Sequence, residues 1–184
     1  LMVASPSTVE AGSEALANLA VVTAQSGKRV LVVDADLRRP AQHDLLSVAN
    51  DRGLTNLLVG DGTIETSLQR TTLDGLVVLP SGPLPPNPAE LLAGARMSGL
   101  IDQLAACADL VLFDVPPLLP VTDGAAIAPL LDGVLLVLTA RRSRREHAAR
   151  ARAVLDNVGA TVVGVALLDA DRADTGYPAY GAEG

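Results

Sequence analysis

Three carboxylates in this chain stand where a folded sheet could present them to a metal ion. Residues 30–40, VLVVDADLRRP, and residues 110–123, LVLFDVPPLLPVTD, each drive an apolar run into aspartate, Asp34 with Asp36 in the first and Asp114 in the second. A buried strand ending in a carboxylate delivers it to the carboxyl edge of a parallel sheet, where open α/β sheets bind their ligands. Taken alone, Asp114 reads equally well as a solvated turn residue. The D-x-D spacing with Leu37-Arg38-Arg39-Pro40 behind it, and the prolines and Asp123 that follow Asp114, favour a divalent-metal site, because a hard cation is held by one or two such carboxylates.

The elements that must position these residues alternate. Apolar runs near 1–5, 29–34, 76–80, 109–114, 133–139 and 161–168 read as strands, with helical stretches between them. Strands alternating with helices predict an α/β fold: a doubly wound, mainly parallel sheet with helices on both faces. Runs such as LVLFD, GVLLVL and VVGVALL are nearly continuous in aliphatic residues, the pattern of strands buried on both faces. The clearest helix start lies at Asn87, an N-cap followed by Pro88 in the first helical position and by Glu90 in capping-box spacing. Residues 51–73 are ambiguous, with two short amphipathic pieces, GLTNLLVG and TIETSLQR, around a Gly-Asp-Gly turn. Residues 1–170 read as one domain and 171–184, small and polar, as a flexible tail.

At 184 residues and 49% hydrophobic composition, the chain has enough apolar material for a full core, although only 2% of it is aromatic. A net charge of −7 argues against nucleic acid as a partner, since that partner demands a basic field. Cys107, the single cysteine, excludes a disulfide framework and a thiolate cluster. No run approaches the roughly 20 apolar residues of a membrane-spanning helix. Arg141, Arg142, Arg144, Arg145, Arg150 and Arg152 crowd a helix beginning near Ser143. Such a face could dock on anionic lipid or an acidic partner, but a solvated outer face is the commoner meaning. His43 and His147 have no spacing that makes a metal site or a dyad, and read as surface residues.

The motifs VLVVDADLRRP, FDVPPLLPVTD and SGPLPPNPAELL, in that order, resemble the cytoplasmic domain of the bacterial tyrosine autokinases (BY-kinases) of capsule and exopolysaccharide biosynthesis. These are P-loop NTPase-like proteins of the deviant branch that includes cell-division and partition ATPases. The likeness runs from about residue 1 to Tyr180. It implies ATP and Mg2+ as cofactors, Asp34 and Asp36 as the Walker A′ pair that supports magnesium and activates a tyrosine hydroxyl, and Asp114 as the Walker B magnesium ligand. The family's phosphate loop reads P-G-E-G-K-S-T, a fixed distance before an Asn-Leu-Ala. Counting back from Asn18-Leu19-Ala20 places Thr8 to Glu14 on it: Val9 and Ala11 replace glycines, Gly12 replaces the lysine and Glu14 replaces the last threonine. Gly12 and Ser13 are what remains for cofactor binding, and Ser13, Asp34 and Asp114 for the metal.

The loss is large in energy. A charge pair at about 4 Å is worth about 4 kcal/mol at an effective dielectric of 20, before desolvation. Lys28, the only lysine, reads as a linker residue before the second strand. The asparagine that reads the adenine in the family corresponds to Leu168, followed by Asp169, so the base end departs as well. Both tyrosines, Tyr177 and Tyr180, lie in the last eight residues and resemble the family's phosphoacceptor cluster. The resemblance further implies a membrane polysaccharide co-polymerase adaptor, in the same chain or a separate one, a homo-oligomer or a hetero-oligomer with an active homologue, and the cytoplasmic face of the bacterial inner membrane. Because Leu1, Met2 and Val3 already read as core strand, the chain reads as a fragment without the family's preceding helices. Three functions compete. One is a catalytically impaired regulatory or scaffolding pseudokinase, the second an active autokinase with an atypical loop, the third a degenerate partition-type ATPase module. The tail tyrosines and SGPLPPNPAELL favour the kinase readings over the third, and the altered loop favours the first.

Overall fold

A computed structural model describes residues 1–8 and 11–170 of the chain. Its centre is a seven-stranded sheet: β1 (Met2–Ala4), β2 (Val30–Asp34), β3 (Gln69–Arg70), β4 (Leu76–Leu79), β5 (Leu110–Asp114), β6 (Val134–Thr139) and β7 (Val162–Leu168), in the spatial order β3-β4-β2-β5-β1-β6-β7. All neighbours are parallel except β3 with β4. The six expected strands are present, and the doubly wound parallel sheet is the fold. The seventh, β3, has no counterpart in the sequence pattern: two residues at the end of TIETSLQR are too short to show a strand period, and only pairing with β4 defines them.

Side chains alternate across the sheet and build two cores. Val30 and Val32 point to the face covered by helix α1 (Gly12–Gln25) through Leu16, Ala20 and Ala24. Leu31 and Val33 point to the opposite face. That face packs against α3 (Leu54–Val59), α5 (Pro88–Ala93), α6 (Ala95–Ala105), α7 (Asp123–Ile127) and α8 (Arg145–Asn157), which contribute Leu54, Leu92, Leu104, Ile127 and Leu155. Two further short helices, α2 (Gln42–Leu45) and α4 (Ile64–Ser67), lie in the connections. Among the described residues no helix is long and apolar enough to cross a membrane.

Three local expectations are corrected. The strand β7 is not buried on both faces; Val163, Val165 and Leu167 are more than half exposed, because β7 is the sheet's edge and no described element lies over them. Asn87 and Pro88 do open α5, but the Asn87 side chain makes no capping bond to the backbone. Its backbone lies at φ −132°, ψ 63°, away from the extended cap conformation, and its amide instead donates to Glu90 at 2.8 Å. Helix α8 begins at Arg145 rather than Ser143, whose hydroxyl accepts the Thr139 N–H at 2.8 Å and so belongs to the preceding turn. The two amphipathic pieces of residues 51–73 are α3 and α4.

Candidate functional site

The parallel register places Asp34 directly opposite Asp114 at the carboxyl ends of β2 and β5. Neither is a solvated turn residue: Asp34 is 0% and Asp114 1% exposed. Helix α1 starts beside them, with Gly12 and Ser13 in its first turn and Glu14 exposed. The structure therefore brings Ser13, Asp34 and Asp114 into one cluster, with Gly12 and Asp36 at its border.

Asp36 has a structural task in addition. Its Oδ1 accepts the backbone N–H groups of Arg38 and Arg39 at 3.0 and 2.8 Å, which folds the turn after β2. That turn aims Arg38 at Asp123, eighty-five residues away, in a bidentate pair at 3.0 and 3.1 Å. Asp123 is fully buried, so the pair ties the turn of Asp36 to the start of α7. Both residues stand inside recognisable motifs, yet nothing in the sequence shows that they meet.

Gln42 is the functional residue that the sequence conceals entirely. Fully buried at the start of α2, it gives its backbone N–H to Asp34 Oδ2 at 2.9 Å, beside the Ala41 N–H at 3.0 Å. Its side-chain Nε2 donates to the Ser13 carbonyl at 3.0 Å and to Asp114 Oδ2 at 2.7 Å. A glutamine in a polar turn carries no sequence signal of this kind; only its burial could have flagged it.

Electrostatics follow from the burial. Asp34 is pushed up to about 8, first by desolvation and then by the Asp114 charge, against the two backbone donors. Asp114 is pushed up to about 6 by desolvation, restrained by hydrogen bonds from the Gln42 and Ser13 side chains. Asp34 Oδ1 and Gln42 Oε1 are buried without a hydrogen-bond partner. Among the described residues, no three His, Cys, Asp or Glu side chains gather as a metal-ligand group. Of the oxygens a magnesium ion could take here, Asp114 Oδ2 already holds the Gln42 N–H, while Asp34 Oδ1 is uncommitted.

A Cβ on Gly12 would meet only Ser5, at 3.4 and 3.5 Å, so no close backbone approach demands glycine there. Lys28, the only lysine, stands apart from the cluster. It lies exposed before β2, and six extended residues separate it from Asp34 by roughly 20 Å. Leu168, at the corresponding end of β7, packs against the α1-side core and offers no amide. A cavity of about 220 Å3 does lie at the mouth of the cluster, between Thr8, Asp36, Arg39 and Pro117. A larger one, about 470 Å3, sits between Leu57, Arg96 and Gln103 and touches none of the carboxylates.

His43 and His147 are half-buried rather than surface residues, with His43 Nδ1 enclosed and unpartnered. Arg142, Arg144, Arg145, Arg150 and Arg152 are exposed, and Arg152 pairs with Asp156 at 2.7 Å along α8. Tyr177 and Tyr180 lie outside the described residues.

A parallel sheet whose paired strand-end carboxylates stand beside the first turn of the helix after β1 defines a P-loop NTPase-like fold. Comparison with known proteins narrows the class. Residues 13–143 match the AAA domain family. The chain is 40% identical to tyrosine-protein kinase YwqD of Bacillus subtilis, over 91% of this chain and 70% of that protein. It is 32% identical to the putative tyrosine-protein kinase CapB of Staphylococcus aureus, over 98% and 80% respectively. The solved kinase domain of Escherichia coli tyrosine kinase ETK superposes with a TM-score of 0.89 at 31% identity, over 98% of this chain and 71% of that one. The chain belongs to the bacterial tyrosine-kinase (BY-kinase) family.

Proposed function

We propose that this chain is a BY-kinase domain that has lost most of its nucleotide binding and acts as a regulatory or scaffolding subunit in capsule or exopolysaccharide polymerisation and export. The observation that carries the reading is Gly12. It occupies the family's lysine position at the first helical residue of α1, and the only lysine of the chain lies at the other end of β2. Gln42 on Asp114, and Leu168 in place of an amide, point the same way. In this reading the domain works at the cytoplasmic face of the inner membrane, with a polysaccharide co-polymerase adaptor and as a homo-oligomer or a hetero-oligomer with an active homologue. Residues 171–184 serve in this reading as a tail whose Tyr177 and Tyr180 accept phosphate.

One observation favours a second reading, an active kinase that draws its cation from elsewhere. Arg39 lines the small cavity together with Thr8, the first residue of the loop pattern. Titration with a fluorescent ATP analogue, with and without Mg2+, separates the two. The expected result is no saturation in the micromolar range. Submicromolar affinity by calorimetry overturns the proposal, and if Arg39→Ala abolishes that affinity the second reading takes its place.

A further inference from the structure

The Gln42 amide stands between the Asp114 carboxylate and the Ser13 carbonyl, and its backbone N–H reaches Asp34. Its partners identify the inward atom. The Ser13 carbonyl is an acceptor only and so is an ionised Asp114, so the side-chain group between them, at 3.0 and 2.7 Å, must be the nitrogen. Both N–H bonds of a primary amide are thereby used. They put the positive end of its dipole against the Asp114 oxygen, and the Ser13 side chain adds a second hydrogen bond to the same carboxylate.

A magnesium ion needs oxygen ligands at short distance and keeps several of its waters. The cluster offers it uncommitted oxygens in Asp34 Oδ1 and Gln42 Oε1, but no exposed surface for its waters. Gln42, Asp34 and Asp114 are each at most 1% exposed, Asp34 Oδ2 holds two backbone N–H groups, and Asp114 Oδ2 holds the amide. We propose that Gln42 stands in for the divalent cation, an amide that hydrogen-bonds the Asp114 carboxylate, bridges it to α1 and closes the cluster to metal. The residue thus sets the metal specificity of the site, and its removal opens the site again. Without the side chain, Asp114 Oδ2 loses the amide, and Asp34 Oδ1, on the paired residue of the neighbouring strand, is already unpartnered. This rests on the reading of Ser13, Asp34 and Asp114 as an inherited metal site. It is tested without nucleotide, so weak ATP binding and closure to metal can fail separately.

The probe is Mn2+ alone, titrated by electron paramagnetic resonance against the wild type, Gln42→Ala, Gln42→Leu, Asp114→Asn and the double variant Gln42→Ala/Asp114→Asn. The wild type should show no saturable site in the micromolar range, and its melting temperature should not respond to Mn2+. Gln42→Ala should bind one Mn2+ ion measurably tighter than the wild type, because Asp114 Oδ2 is then open to it. It should regain melting temperature on Mn2+ addition, and the double variant should lose both effects. Gln42→Leu, which keeps more of the packing, serves if Gln42→Ala does not fold. A micromolar wild-type site that Asp114→Asn removes overturns the proposal. So does a folded Gln42→Ala or Gln42→Leu that binds Mn2+ no better than the wild type. Should neither variant fold, the wild type decides alone: no Mn2+ site upholds the closed cluster, and a site sensitive to Asp114→Asn sinks it.

Discussion

At the scale of single residues, the pair of Arg38 and Asp123 shows how a site can be held by charges that never touch a ligand. Asp123 is wholly enclosed while Arg38 keeps 40% of its side chain in solvent, so their values to stability differ. Removing the arginine leaves a buried carboxylate with no countercharge; removing both leaves a small polar gap. Arg38→Ala should therefore cost about 3 kcal/mol in urea unfolding, and Arg38→Ala/Asp123→Ala should cost clearly less than the single change. Equal losses would mean that Asp123 is stabilised by something other than the guanidinium. The D-x-D-x-R pattern was legible in the sequence because its residues are neighbours. The partner was not, because eighty-five residues separate the two and nothing in either segment names the other.

Among the elements, the join between α3 and the segment after β4 depends on bare backbone. Leu54 and Thr55 give their N–H groups to the carbonyls of Pro80 and Ser81 at 2.8 and 2.9 Å, which seats the first turn of α3 on that segment. A Cβ at Gly53 would overlap the Pro80 carbonyl, and one at Gly82, where φ is +73°, would lie 2.8 Å from both the Asn56 side chain and the Gly53 nitrogen. Gly53→Ala should thus destabilise the protein by about 2 kcal/mol. A control lies in α6: a methyl group added at Gly99 would have nothing within 4 Å, so Gly99→Ala should stabilise by about 0.5–1 kcal/mol. Chemical denaturation of the two variants reads both signs in one experiment. Opposite ordering would show that backbone approach does not hold α3 in place. In the sequence, GLTNLLVG was an amphipathic piece of an ambiguous segment; that it is a short helix, and that Gly53 is a contact surface, required the fold.

For the whole molecule, the acidic balance and the tail make a prediction together. The chain carries a net charge of −7, and each phosphate adds about −1.5 to −2 at neutral pH. Phosphorylation of Tyr177 and Tyr180 by an active family member should therefore weaken any assembly of such subunits. Incubated with an active BY-kinase and ATP, the protein should yield peptides phosphorylated on Tyr177, Tyr180 or both by mass spectrometry. Neither modified, while the partner labels its own tail, would refute the phosphoacceptor reading. The sequence by itself determined the parallel α/β class, the positions of its main strands along the chain, and Asp34 and Asp114 at two strand ends with Asp36 just beyond. Each of these is written in local periodicity, in residue type or in spacing along the chain. Tertiary structure alone decided that Asp34 and Asp114 face each other out of water, that Gln42 closes over them, that Arg38 reaches Asp123 and that β7 leaves Val163, Val165 and Leu167 bare. These depend on which strand lies beside which and on what covers it, and pairing across a sheet is set by packing between segments distant in sequence, where a short pattern carries no information about its partner.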